Sequence, residues 1–150
     1  MIDNANDLSA VEIVQLIEEV IKQYPQQDIE TRHYFGGGVY EREILVPANT
    51  LITGKIHLTE HLAKLVSGTM SIFSESDHGE FTAPMTFVST PGVKRIGYAH
   101  TDCVFSTFHY VGDETDIKVI ENALVVDTME EYNYRMLECP KEVKLIEAEK

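Results

Sequence analysis

Two histidines four residues apart, His57 and His61, are the side chains of this sequence best placed to do chemistry. A neutral imidazole donates a lone pair to Zn, Fe, Mn or Ni, and two such nitrogens with further ligands make a common transition-metal set. The run from Leu51 to His57 reads as a strand, on which residues 55, 57 and 59 share one face. A turn at Thr59-Glu60 would bring His61 back beside His57 from the neighbouring strand, and both imidazoles would then enter one barrel mouth. Glu60 points the other way if the strand continues straight. A third nitrogen is expected from a later strand: Cys103, Phe105, Thr107 and His109 alternate onto one face, which makes His109 the better supplier. His100 is held in reserve, because it alternates away from the face of Arg95 unless a bulge reverses the parity. The plain alternative is that these are half-buried sheet histidines bonded to backbone.

Other chemistries find little support. Ser71, Ser74, Ser76 and Ser106 lack a G-x-S-x-G frame, and no cysteine and histidine share a recognised local signature. The acids lack the ligand spacing of an EF-hand, and a glycosidase pair cannot be picked without geometry. His33 and His78 fall in expected loops, and Cys103 reads as packing.

These residues need a scaffold to hold them. Leu8 to Ile21 carries apolar residues at three-to-four spacing with polar ones between, an amphipathic helix with Asp7 or Ser9 as its cap and Tyr24-Pro25 beyond its end. Pro25 to Gly38 is polar and glycine-terminated and reads as a linker. From Val39 to about Val111 the texture becomes short β-branched and aromatic runs: 39–46, 51–57, 63–66, 69–74, 80–82, 86–89, 94–99 and 104–109. Pro47-Ala48-Asn49, Ser67-Gly68, Ser76 to Gly79 and Pro91-Gly92 supply turns. Eight short strands in that space suit a jelly roll. Thr115 to Asn122 reads as a helix capped by Thr115 or Asp116, Ala123 to Asp127 as a strand, and Met129 to Met136 as a further helix. Lys141 to Lys150 is expected to fray or lie on the surface. The organisation is thus 1–38 helix and linker, 39–112 barrel, and 113–150 an extension packed on it.

The strings Thr53-Gly54-Lys55-Ile56-His57, Gly68 and Pro91-Gly92-Val93-Lys94-Arg95-Ile96-Gly97-Tyr98-Ala99-His100 resemble the two motifs of small cupin-fold (double-stranded β-helix) proteins of bacteriophage and bacterial type. The resemblance spans about Arg42 to His109. It implies a mainly β, cupin-like jelly-roll barrel with an N-terminal amphipathic helix and short C-terminal helices. Aligned on Gly68, His57 takes the second histidine of the first motif, His61 the glutamate and Lys55 the first histidine. In the second motif the histidine's place falls on Arg95, which cannot ligate a metal but whose planar fork suits a carboxylate or phosphate. The expected site is therefore a divalent transition metal (Zn, Fe, Mn or Ni) on His57, His61 and His109. Arg95 and Lys55 would orient a small polar or anionic ligand, and Tyr98 would line the mouth.

Composition narrows the partners. The chain has 150 residues, one domain's worth, and 25 acidic against 12 basic side chains give a net charge of −13. That charge repels nucleic acid and acidic membranes, and Lys94-Arg95 is the only adjacent basic pair. Cys103 and Cys139 match no zinc-ribbon or redox spacing, Met1-Ile2-Asp3-Asn4 lacks the basic and apolar regions expected of a signal peptide, and no apolar run approaches the ~18 residues of a membrane span. A cytoplasmic protein is expected. The resemblance further implies a homodimer. Two functions fit: a metal-dependent enzyme acting on a small anionic substrate, or a non-enzymatic phage-encoded accessory protein whose barrel holds a ligand or host partner.

Overall fold

In a computed structural model, residues 7–137 are described. Cys139 and the stretch Lys141 to Lys150 lie outside them. The elements in chain order are α1 (Ala10–Ile21), β1 (Glu30–Gly36), β2 (Val39–Val46), β3 (Leu51–Thr53), β4 (Ile56–His57), β5 (His61–Ser67), β6 (Thr69–Phe73), β7 (His78–Thr82), β8 (Met85–Ser89), β9 (Ile96–Ala99), β10 (Cys103–Tyr110), α2 (Ile117–Leu124) and β11 (Val125–Val126). Residues 129–137 are helical.

The strand pairing is nested: β6 with β7, β5 with β8, β3 with β9, and β2 with β10, all antiparallel. This is one long antiparallel ribbon wound so that successive pairs fall in alternate sheets, the winding of a jelly roll. The result is a five-stranded sheet β1-β2-β10-β5-β8 facing a four-stranded sheet β3-β9-β6-β7. Val46, Ala63, Leu65, Phe87 and Cys103 of the first meet Met70, Ile72 and Ala99 of the second in the buried core. Each comes from an alternating strand position, so the period-two pattern of the sequence is the physical origin of the two-layer core. Gly68 sits at the tight β5–β6 turn with φ of +91°, where a Cβ would meet the Asp102 carbonyl and lie 2.6 Å from the Cys103 sulfur.

Two expectations are corrected. Pro25 to Gly38 is not all linker: β1 pairs with β2 from Glu30↔Leu45 to Gly36↔Val39. The connecting residues Gly37 and Gly38 have φ of +59° and +82°, the positive-φ pair of a two-residue hairpin that leads into β2 at Val39. β1 escaped notice because it is an edge strand exposed along nearly its whole length and carries no apolar alternation. His33, expected in a loop, lies on it, with Nδ1 2.6 Å from the Tyr40 hydroxyl. The run Leu51 to His57 is likewise not one strand. β3 follows β9, then the chain breaks at Gly54-Lys55, and β4 leaves to pair with β11 through Val125↔His57 and Val126↔Ile56. The shared-face parity of residues 55 and 57 is lost at that break.

Helix α1 begins with a capping box in which Ser9 and Glu12 exchange hydrogen bonds, and it packs through Val11 and Val14. A buried ion pair also ties it to the barrel. Lys94 is 2% exposed, and its Nζ donates to Glu18 Oε1 at 3.1 Å, while Thr53 donates to Glu18 Oε2 at 2.7 Å. Burial alone would raise the Glu18 pKa, but the bonds from Thr53 and Lys94 outweigh it and hold the carboxyl below its ordinary value. Deleting one partner of such a pair strands the other charge, whereas replacing the buried charge by an apolar group does not. Glu18→Ala is therefore expected to cost about 3 kcal/mol in denaturant unfolding and Lys94→Met less than about 1 kcal/mol. Negligible losses in both variants would show that α1 is held by its apolar face alone.

Candidate metal centre and ligand cavity

The three histidines favoured by the sequence converge. His57 is fixed by β4–β11 pairing and by its own carbonyl, which accepts from Gly92 N–H at 2.9 Å. His61 opens β5 opposite Ser89 of β8, and His109 lies on β10 opposite Tyr40 of β2. The ring centroids are 4.2 Å apart for His57 and His61, 4.5 Å for His61 and His109, and 5.4 Å for His57 and His109. One nitrogen from each ring lies within 4.8 Å of the other two.

The surrounding bonds select which nitrogens are available. His61 Nδ1 is 3.0 Å from the Thr59 carbonyl, which can only accept, so Nδ1 carries the proton and Nε2 the lone pair. That Nε2 is buried and has no hydrogen-bond partner. His109 Nε2 meets the Thr107 hydroxyl at 3.0 Å, and its Nδ1 is buried and unpartnered in turn. Two orphaned imidazole nitrogens in one cluster are costly in a protein interior unless something binds them. A neutral set of three histidines with outer hydrogen bonds orienting its rings fits a divalent transition metal.

Electrostatics keeps the cluster neutral. Burial, reinforced by His61, His109, Arg95 and Arg42, pushes the His57 pKa down to about 2. Burial, then His61 and Arg42, lowers His109 to about 4. His61 is lowered by burial and by Arg95 against the opposing bond to Thr59. At neutral pH all three rings therefore keep their lone pairs.

The cluster opens on a cavity of about 310 Å³ between the sheets and α2. Arg95 lines it, but its guanidinium is engaged: it bonds Ser89 Oγ and Asp77 Oδ2, the latter at 3.3 Å, and lies 5.6 Å over the Phe87 ring. Lys55 lines the cavity from the break between β3 and β4, its side chain 56% exposed and 3.6 Å from Asp127. Tyr98 is not among the lining residues; it donates to Asn49 Oδ1 at 3.2 Å and packs edge-on to His100. His100 is apart from the cluster, bonded to Ser71 at 2.6 Å and 3.3 Å from Glu80 through the same Nε2. Both partners share one nitrogen, so this is no Ser-His-acid relay, which needs the acid on the other one. Glu60 is exposed and His78 is an exposed residue at the start of β7.

Sequence reasoning missed Arg42 and Tyr40 and gave Thr107, placed on the face of His109, no role; all three line the cavity. The signal lay in register: Tyr40, Arg42 and Ile44 alternate along β2 and pair with His109, Thr107 and Phe105 of β10. A face that carries His109 must carry them too.

Fold and site together define a class: a double-sheet jelly roll with three neutral histidines lining one cavity. No family model matches the sequence, and no curated relative matches it. Among solved structures, similar chains include a cupin-2 domain containing protein from Shewanella frigidimarina NCIMB 400, at 14% identity and a TM-score of 0.45 over 63% of this chain and 91% of that one. KdgF from Halomonas sp. is similar at 12% identity and a TM-score of 0.48, over 62% and 94%. A cupin superfamily protein from Desulfitobacterium hafniense DCB-2 shows 4% identity and a TM-score of 0.47, over 59% and 82%. Among the described residues no helix is long and apolar enough to cross a membrane.

Proposed function

We propose that this chain is a cupin-type metal protein that binds one divalent transition metal through His57, His61 and His109 and holds a small anionic ligand beside it. The observation that carries the reading is the pair of buried, unpartnered nitrogens, His61 Nε2 and His109 Nδ1, in a cluster whose third ring is also held neutral. A metal bound there would act as a Lewis acid with coordination positions open to a ligand oxygen or water. The chain's own residues set the rest. Three neutral ligands leave the charge of the ion uncompensated and Arg42 adds to it, while Arg95 is paired with Asp77 and Glu121 is the carboxylate of the lining, inside a protein of net charge −13. Thr107 orients the His109 ring and Thr59 the His61 ring. The mostly aliphatic walls limit water around the cluster, which strengthens each of these attractions.

Metal analysis of protein purified without a His-tag tests it. About one equivalent of a divalent transition metal is expected, absent from the His57→Ala, His61→Ala double variant. Metal content unchanged by the double substitution would sink the proposal.

A further inference from the structure

We propose that Arg42 is the anion anchor of the cavity and that the ligand it holds is a compact carboxylate with an apolar body, as opposed to a sugar or polyol. This rests on the anion-binding reading above and narrows it to one residue and one ligand class.

The inference begins with which cations are spoken for. Arg95 is held by Asp77 and Ser89, and Lys55 is largely solvent-exposed with Asp127 at 3.6 Å. The Arg42 guanidinium makes no ion pair or hydrogen bond among the described residues. It lines the cavity from the middle of β2, opposite Thr107 and one inward-facing position from Tyr40, the partner of His109. An anion could thus lie between Arg42 and the histidine cluster. Guanidinium presents paired donors that match a carboxylate, and an unoccupied fork inside a protein wall is what such a ligand requires.

The walls choose the rest of the ligand. Ile44, Ile52, Met70, Ile72, Phe105 and Leu124 make most of the cavity wall apolar, with Tyr40, Thr53, Thr107 and Glu121 as polar members of the same lining. A sugar would bury more hydroxyls than these few groups can pair, while an aliphatic or aromatic body suits the apolar majority of the wall. The volume of about 310 Å³ lies at the small end of ligand sites, which sets the body at a short chain or single ring.

Hexanoate, 1-hexanol, acetate and glucuronate are the probes, titrated by calorimetry and amide NMR into metal-free and zinc-loaded protein. Hexanoate is expected to bind more tightly than the other three. Arg42→Gln should weaken hexanoate about tenfold or more and leave hexanol within about twofold, with Arg42→Lys falling between. Lys55→Gln should change hexanoate less than about threefold. Unchanged hexanoate affinity in a folded Arg42→Gln variant, glucuronate binding as tightly as hexanoate, or binding of no probe at all would each overturn the inference. Zinc stoichiometry on the same samples separates the two proposals. A wild type that takes no zinc but binds hexanoate through Arg42 loses the metal reading and keeps this one.

Discussion

Zinc in large excess should raise the thermal unfolding midpoint of the metal-free protein by roughly 8–16 °C, and substitution of His109 should abolish the rise. A ligand present at a thousand times its dissociation constant stabilises the folded state by about 4 kcal/mol. For a domain of this size each kcal/mol moves the midpoint by roughly 2–4 °C. The more telling outcome concerns the variant without metal. His109 Nδ1 and His61 Nε2 are buried and unpartnered, and each such group costs roughly 1–3 kcal/mol. His109→Leu removes one of them and fills similar space, giving up only the bond to Thr107. It is therefore expected to leave the metal-free protein equally stable or more so while losing the whole response to zinc. That opposition is what distinguishes residues kept for binding from residues kept for packing. Calorimetric unfolding with and without zinc measures both halves. A wild-type midpoint indifferent to zinc, or a His109→Leu variant that still responds fully, would contradict the site.

Legibility followed the physics of each element. Strands buried on one face alternate in polarity, so β2, β5, β6, β8 and β10 could be read to within a few residues, and α1 announced itself by its period and by Ser9. What escaped lacked that imprint. β1 shows no alternation of polarity because it forms an exposed sheet edge, with even Tyr34 and Phe35 facing solvent, and its partner is decided by the Gly37-Gly38 turn. The break at Gly54-Lys55 follows from β4 being drawn to β11, a contact between segments almost seventy residues apart in the chain. For the site, alternation on β10 put His109 with the inward residues and the turn before β5 returned His61 toward His57, so the cluster was legible from parity. Arg42 was not, because its importance comes from what the other cations do. Only three-dimensional pairing of Arg95 with Asp77 and of Lys55 with Asp127 leaves it uncommitted. Lys94 was likewise invisible as a buried charge, since Glu18, its partner, lies on the N-terminal helix.

Acid should unfold the metal-free protein with an unusually steep onset just below neutrality. In the unfolded chain each histidine titrates near 6.5. In the fold, burial and neighbouring positive charge hold His109 at about 4 and His57 at about 2, with His61 also lowered. A depressed pKa contributes stability that is fully present above the unfolded value and is lost as pH falls toward the folded one. Between about pH 6 and pH 4 the unfolded state therefore binds protons that the folded state refuses. His57 and His109 alone give a slope of about 2.7 kcal/mol per pH unit once both are protonated in the unfolded chain. Below the ordinary carboxylate range the lowered pKa of Glu18 adds a further loss of the same sign. The same depression has an opposite consequence for binding. Because protons do not occupy the folded site at pH 6, zinc need not displace them, and its affinity at pH 6 should stay within about threefold of that at pH 7.5. An ordinary histidine site would already be losing metal to protonation there. Calorimetry at pH 6 in two buffers of different ionisation enthalpy reads the proton count directly. Fewer than about half a proton should be released per zinc, and release of two would mean that the imidazoles titrate as they do in water, leaving the neutral cluster without support.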